Sequence, residues 1–262
     1  MSQPGFEILP PDGPARPLVV HVPHAGTVIP SDVRERIVLD DVALAEELRR
    51  MTDHRTDVLA AGTGTVGATR FVNRCSRLVV DPERFLAPDL EEMEAVGMGA
   101  VYTATSDRGV LRHPDPAERD RLLDTWFRPY HAALTDLVAR HLEASGRCVI
   151  VDVHSYPSIT LPYERHADAA RPPLCVGTHP VHTPAAARDA VVALAADAGL
   201  EVAFDAPFAG TFVPTAYLDD PRVVSVMLEI RRDTYLDEAS AIPHDGEGRV
   251  AAFVTAVADA LA

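Results

Sequence analysis

Two histidines stand just past the ends of short apolar runs. One is in His21-Val-Pro-His24-Ala-Gly-Thr27 and the other in Asp152-Val-His154-Ser155. Neutral imidazoles are favoured zinc ligands, and a catalytic zinc takes three protein ligands plus a water. A lone histidine at such a position is an ordinary core residue. A pair, accompanied by Glu229 and a set of arginines at the ends of other runs, points to metal-assisted hydrolysis. Strand alternation puts Asp152 on the same face as His154, either as a support for the imidazole or simply as its neighbour. The third ligand should be a carboxylate or another histidine. The segment Met51-Thr-Asp53-His54-Arg-Thr-Asp57 offers Asp53, His54 and Asp57, and spacing alone does not choose among them. Asp53 fits equally well as a helix cap. Glu229, a carboxylate at a strand end, is the candidate general base that moves a proton from water to the leaving amine. Its plainer reading is an ion pair with Arg231 or Arg232.

The stretch Arg70-Phe-Val-Asn73-Arg74-Cys-Ser-Arg77, followed by Arg84, concentrates positive charge in an acidic chain. Arginine grips carboxylates in a two-pronged fork and can stabilise an oxyanion, so this segment suits a small anionic substrate. Arg70 also reads as a surface ion pair. After His24, Ala25 and Gly26 are small enough for metal and substrate to approach the backbone.

These groups need a scaffold that gathers strand ends. Leu18 to Val22, Leu78 to Val80, Cys148 to Val151 and Val223 to Leu228 are continuous β-branched-rich runs, as expected of strands buried on both faces. Leu174 to Gly177 is a fifth candidate. Between them lie helical patterns: Asp41 to Met51, Pro116 to Ala144 with a break or kink at Pro129, Pro184 to Ala198 stopped by Gly199, and Gly248 to Leu261. The Pro-rich start reads as an irregular lead-in. Alternation of strands and helices predicts one α/β domain over residues 1–262 with a mixed, mostly parallel central sheet. Sites in such folds form beyond the carboxyl ends of the strands.

Composition excludes several chemistries. All 24 basic residues are arginine. Without lysine there is no Walker-type phosphate loop, Schiff base, pyridoxal-phosphate anchor or kinase. The net charge of −15 argues against nucleic-acid binding. Cys75, Cys148 and Cys175 read as buried free thiols. No Gly-x-Ser-x-Gly is present, and Ser155 and His154 point to opposite faces, so a serine hydrolase is disfavoured. Gly62-Thr-Gly64-Thr-Val-Gly67 has dinucleotide-loop spacing but no preceding strand. No run spans a bilayer and the N-terminus lacks a leader-like apolar region, so the expected location is the cytoplasm. Oligomeric state carries no signal.

The segments HVPHAGTVIP, MTDHRTDVL, NRCSRLVVDPERF, VDVHSYPSITLPYE, APFAGTFVP and MLEIRRDTYLDE, running in order from His21 to Glu238, resemble the N-formylglutamate amidohydrolase family. The resemblance implies a three-layer α/β/α sandwich of the phosphorylase/hydrolase-like kind, akin to zinc carboxypeptidases. It implies a zinc ion, or another divalent metal, held by His24, Asp53 and His154, with Glu229 as catalytic carboxylate. Arg84 inherits the substrate-binding and catalytic role of a carboxypeptidase Asn-Arg motif. We expect Asn73, Arg74, Arg77, Ser155 and Arg232 to help hold an acyl-amino acid, foremost N-formylglutamate. Glu83 and Arg231 depart from the pattern where asparagine is expected. Two other readings are a metallo-carboxypeptidase or deacylase for longer substrates, and an inactive anion-binding relative.

Overall fold

A computed structural model describes residues 5–87, 91–164 and 168–262. Its centre is a seven-stranded mixed sheet of β1 (Phe6–Leu9), β2 (Leu18–Val22), β3 (Thr69–Asn73), β4 (Cys148–Tyr156), β5 (Leu174–Gly177), β6 (Val202–Phe204) and β7 (Val223–Arg231). Their spatial order is β1-β3-β2-β4-β7-β5-β6. The four central strands β3, β2, β4 and β7 run parallel. β1 is antiparallel to β3, and β5 is antiparallel to β7. The expected mixed, mostly parallel sheet is present.

Helices cover both faces, because β4 is apolar on both. Val149, Val151 and Val153 join Val20, Val22, Val226, Leu228 and Ile230 in a cluster under the helices Ala185–Asp197 and Gly246–Leu261. Cys148 and Ile150 join Val19, Phe71 and Val223 under the helix Arg128–Ser145 through Tyr130, Leu134, Leu137 and Val138. Fully burying each such aliphatic side chain stabilises the fold by about 1.5–3 kcal/mol. Along that second face the alternation continues past Ile150 into Asp152 and His154, and past Val19 into His21. The apolar layer therefore gives way to a buried polar one at the carboxyl ends of the strands.

Several expectations need correction. Leu78 to Val80 is no strand; it forms turns, with Val79 N–H bonded to Ser76 O at 2.9 Å. An apolar run of three residues, set between Ser76 and Pro82, is too short to outweigh turn chemistry. The lead-in is partly regular, since β1 pairs with β3. β3 and β6 escaped the apolar-run criterion because their polar or short sequences are completed by neighbours. The stretch around Pro129 does deform: helix Pro116–Leu122 widens into a π-type turn over Leu123–Phe127 before Arg128–Ser145. Proline lacks the N–H and crowds the carbonyl four residues back, which accounts for the widening. The three cysteines are buried and free, as expected. Burial pushes the Cys75 and Cys148 thiols up to about 12.

Gly26 also has a different reason from the one expected. A Cβ there would lie 2.4 Å from Arg74 C and 2.5 Å from Arg74 O. Glycine lets the chain after His24 run against the Arg74 backbone, where Val28 N–H bonds to Arg74 O at 3.2 Å. Gly26→Ala should therefore destabilise the protein by about 1–3 kcal/mol through backbone displacement, read as a lowered urea midpoint. An unchanged midpoint would show that the crossing has slack.

Candidate metal centre

His24 Nδ1, His154 Nδ1 and Asp53 Oδ2 converge on one point. The two nitrogens are 3.2 Å apart, and the carboxylate oxygen lies 3.6 Å from His24 and 3.3 Å from His154. All three residues are buried. A tetrahedral ion with bonds of about 2.0–2.2 Å spaces its ligand atoms about 3.3–3.6 Å apart. The trio matches that spacing, so these residues fit a divalent metal.

The outer contacts turn the right atoms inward. His24 Nε2 is 2.9 Å from Asp81 Oδ1, which places its proton there and its Nδ1 lone pair toward the trio. His154 Nε2 lies 3.0 Å from Asp152 Oδ1 and 3.1 Å from Glu83 Oε2, with the same consequence. Two imidazole lone pairs and a carboxylate oxygen thus face one another, an arrangement that calls for a cation between them. The surroundings also favour positive charge at this point. Burial opposes it, but Asp152 and Glu83 hold the His154 imidazole well above its ordinary pKa. Burial likewise opposes ionisation of Asp53, yet His154 and His24 hold its carboxyl well below the usual range.

Each ligand is set by its element. His154 sits near the end of β4, on the face shared with Asp152. His24 follows β2. Asp53 follows the helix Asp41–Met51, and its N–H bonds to His24 O at 3.0 Å. Its side chain does not cap the next helix; the Thr56 hydroxyl donates to Asp53 O at 2.8 Å instead. Asp53 Oδ2 accepts from Ser155 N–H at 3.2 Å, and Oδ1 lies 3.4 Å from Arg232 Nη2. His54 turns away to Arg49 O, and Asp57 pairs with Arg74. The structure therefore brings only Asp53 of the three to the pair.

Glu229 sits beside His154 in register across β4 and β7. Burial raises its carboxyl to about 7, with His154 pulling it down and Asp53 pushing it up. One of its oxygens, Oε2, is buried without a hydrogen-bond partner. A cleft of about 970 Å³ opens onto the trio and Glu229, and Arg77, Arg84, Ser155 and Arg232 also line it.

The predicted arginines divide. Arg84 lines the cleft with only its Nε engaged by a hydrogen bond among the described residues, to Met98 O at 3.2 Å. Arg77 binds Asp81 through Nη2 at 2.7 Å, bracing the carboxylate that holds His24. Arg232 reaches the cleft, but its donors are committed to Arg50 O, Ser155 and Asp53. It and Ser155 support Asp53. Arg74 and Asn73 are corrections. Arg74 pairs with Glu7 and Asp57 away from the cleft. Asn73 donates to Pro23 O at 2.8 Å and accepts from Cys75 N–H, fixing the turn before His24. Arg70 is a peripheral residue bonded to Ala61 O and paired with Asp12. Arg231 bonds to Asp233 and Arg171 O and does not line the cleft. Sequence reasoning assigned no part to His21 or Tyr102. Tyr102, whose hydroxyl donates to Asp81 Oδ2, carried no sequence signal, because only tertiary packing brings it there.

The family profile described as N-formylglutamate amidohydrolase matches residues 16–236. An N-formylglutamate deformylase of Pseudomonas aeruginosa is 28% identical over 233 residues, spanning 85% of this chain and 83% of its own length. One of Pseudomonas putida is 28% identical over 234 residues, spanning 85% and 82%. The crystal structure of an N-formylglutamate amidohydrolase from Ralstonia eutropha JMP134 aligns with a TM-score of 0.83 at 24% identity, over 98% of this chain and 96% of that one. A gene product of Agrobacterium tumefaciens aligns with a TM-score of 0.71 at 19% identity, over 99% and 95%. At these identities the two structures establish the shared fold.

Asp81→Asn keeps the shape at His24 Nε2 but removes the anion. Zinc affinity measured by calorimetry should fall about 10–100-fold, the usual effect of losing such a partner. Unchanged affinity would mean that Asp81 serves only packing.

Proposed function

The chain belongs to the N-formylglutamate amidohydrolase family, and from that premise we propose that it hydrolyses the formamide bond of an N-formyl amino acid, foremost N-formyl-L-glutamate, with a divalent metal, Zn2+ first, held by His24, Asp53 and His154. The observation that carries the reading is the convergence of the three donor atoms beside Glu229. The bound ion supplies Lewis acidity to the carbonyl and to the attacking water.

Glu229 takes the proton from that water and returns it to the amide nitrogen as the C–N bond breaks, releasing formate and the amino acid. A carboxyl raised to about 7 suits both halves of that task, because it gains and loses a proton readily near neutrality. Arg84 receives a substrate carboxylate in its free fork. Arg77, Asp81 and Arg232 keep His24 and Asp53 aimed. The size of the cleft supports a second reading, in which longer acyl-amino acids or short peptides also enter. No helix among the described residues is long and apolar enough to cross a membrane.

Formate release by the zinc-loaded protein tests the proposal. Full activity after complete removal of metal would sink it. Glu229→Gln should lower kcat about 10²–10⁴-fold with zinc content unchanged. Glu229 must be deprotonated to act, so kcat/KM should fall as pH drops through its pKa. Metal charge lowers that pKa from about 7, so the acid limb should lie at or below neutrality and disappear in Glu229→Gln. Arg84→Ala should raise KM for formylglutamate more than for an uncharged formamide, as steady-state kinetics would show.

A further inference from the structure

Behind His154, on the side away from the trio, lies a second buried group that the proposed reaction does not use. His21 Nδ1 is 2.9 Å from Asp152 Oδ1 and 3.5 Å from Glu83 Oε1. These spacings resemble those of the first trio. His21 and Asp152 are buried, and Glu83 lines the cleft. One buried polar atom of this group, Glu83 Oε1, has no hydrogen-bond partner among the described residues.

Charge points the same way. Asp81 is met by Arg77 and Arg84, and Asp53 by Arg232 and Arg77. Among the described residues, Asp152 and Glu83 form ion pairs only with His21 and His154. Two carboxylates against imidazoles that are neutral when they ligate metal leave negative charge in a low-dielectric interior, which is costly unless a cation compensates.

We propose that His21, Glu83 and Asp152 form a second divalent-cation site, separate from the trio of His24, Asp53 and His154. The mixed nitrogen and oxygen donors suit Zn2+, Mn2+ or Co2+. His21 Nε2 contacts the Tyr130 hydroxyl. A proton on Nε2 donated to that oxygen leaves the Nδ1 lone pair for the ion, the same inward turn that Asp81 imposes on His24. An added ion places positive charge behind the His154 ring and pins Glu83 at the cleft wall.

The site rests on the reading of the first trio only in the counting of ions, and separate variants keep the two apart. Metal-free protein is titrated with Zn2+ by calorimetry, and bound zinc is measured after desalting, for wild type, Glu83→Gln and His24→Ala. Wild type should bind two ions, and each variant one. One ion in the wild type overturns the proposal. Two ions retained in Glu83→Gln also overturn it, by locating the second ion elsewhere on the acidic chain. Loss in Glu83→Gln with no loss in His24→Ala upholds this site and counts against the first trio. Mn2+-loaded wild type gives a readout independent of any variant: two ions this near should broaden each other's electron spin resonance spectrum, and an unbroadened single-ion spectrum overturns the proposal.

Discussion

Three electron-rich atoms held within 3.6 Å of one another repel unless something positive sits among them. The surroundings of the cleft are organised to hold that arrangement. Asp81 and Asp152 draw the imidazole protons outward. Arg77, Arg84 and Tyr102 keep Asp81 in place from behind, and Arg232 with the Ser155 N–H does the same for Asp53. Removing an outer partner should therefore act on the centre without touching it. Buried charges persist only when paired, and here the pairing is layered.

The sheet makes this layering possible. Parallel central strands bring their carboxyl ends to one edge, where the apolar residues on one face give way to polar ones. The Arg128–Ser145 helix covers that face only partway. Its Tyr130 is the last residue of the apolar layer and already contacts His21. The core therefore ends where the chemistry begins, and the low dielectric of the one raises the carboxyl of Glu229 in the other.

Much of this was legible from residue types. His24, His154 and Glu229 could be picked out because continuous β-branched runs mark buried strands, and a polar residue just beyond such a run is unusual. The helix Asp41–Met51 and the strands β2 and β5 were read with the boundaries observed, since capping residues and apolar runs are local signals. β3 was not, because a strand reading Thr-Arg-Phe-Val-Asn draws its stability from neighbours. Leu78 to Val80 had strand composition but turn context. The arginines show the same division. Their positive charge was visible, but which guanidinium faces the cleft depends on long-range pairing: Arg74 is taken by Glu7, sixty-seven residues away in sequence. Asn73 resembled a ligand-binding amide and proved to be a brace for Pro23. Gly26 was read as making room for metal and substrate, whereas the group it admits is the Arg74 backbone.

The alternation along β4 has one further consequence. Ile150, Asp152 and His154 share a face only because two residues separate each from the next, and neighbouring positions face the opposite core. Gain or loss of a single residue between them would turn an imidazole into the valine layer and a valine into the cleft. Lineages descended from this chain can change the length of that strand only by an even number, so it should drift in sequence while keeping its phase.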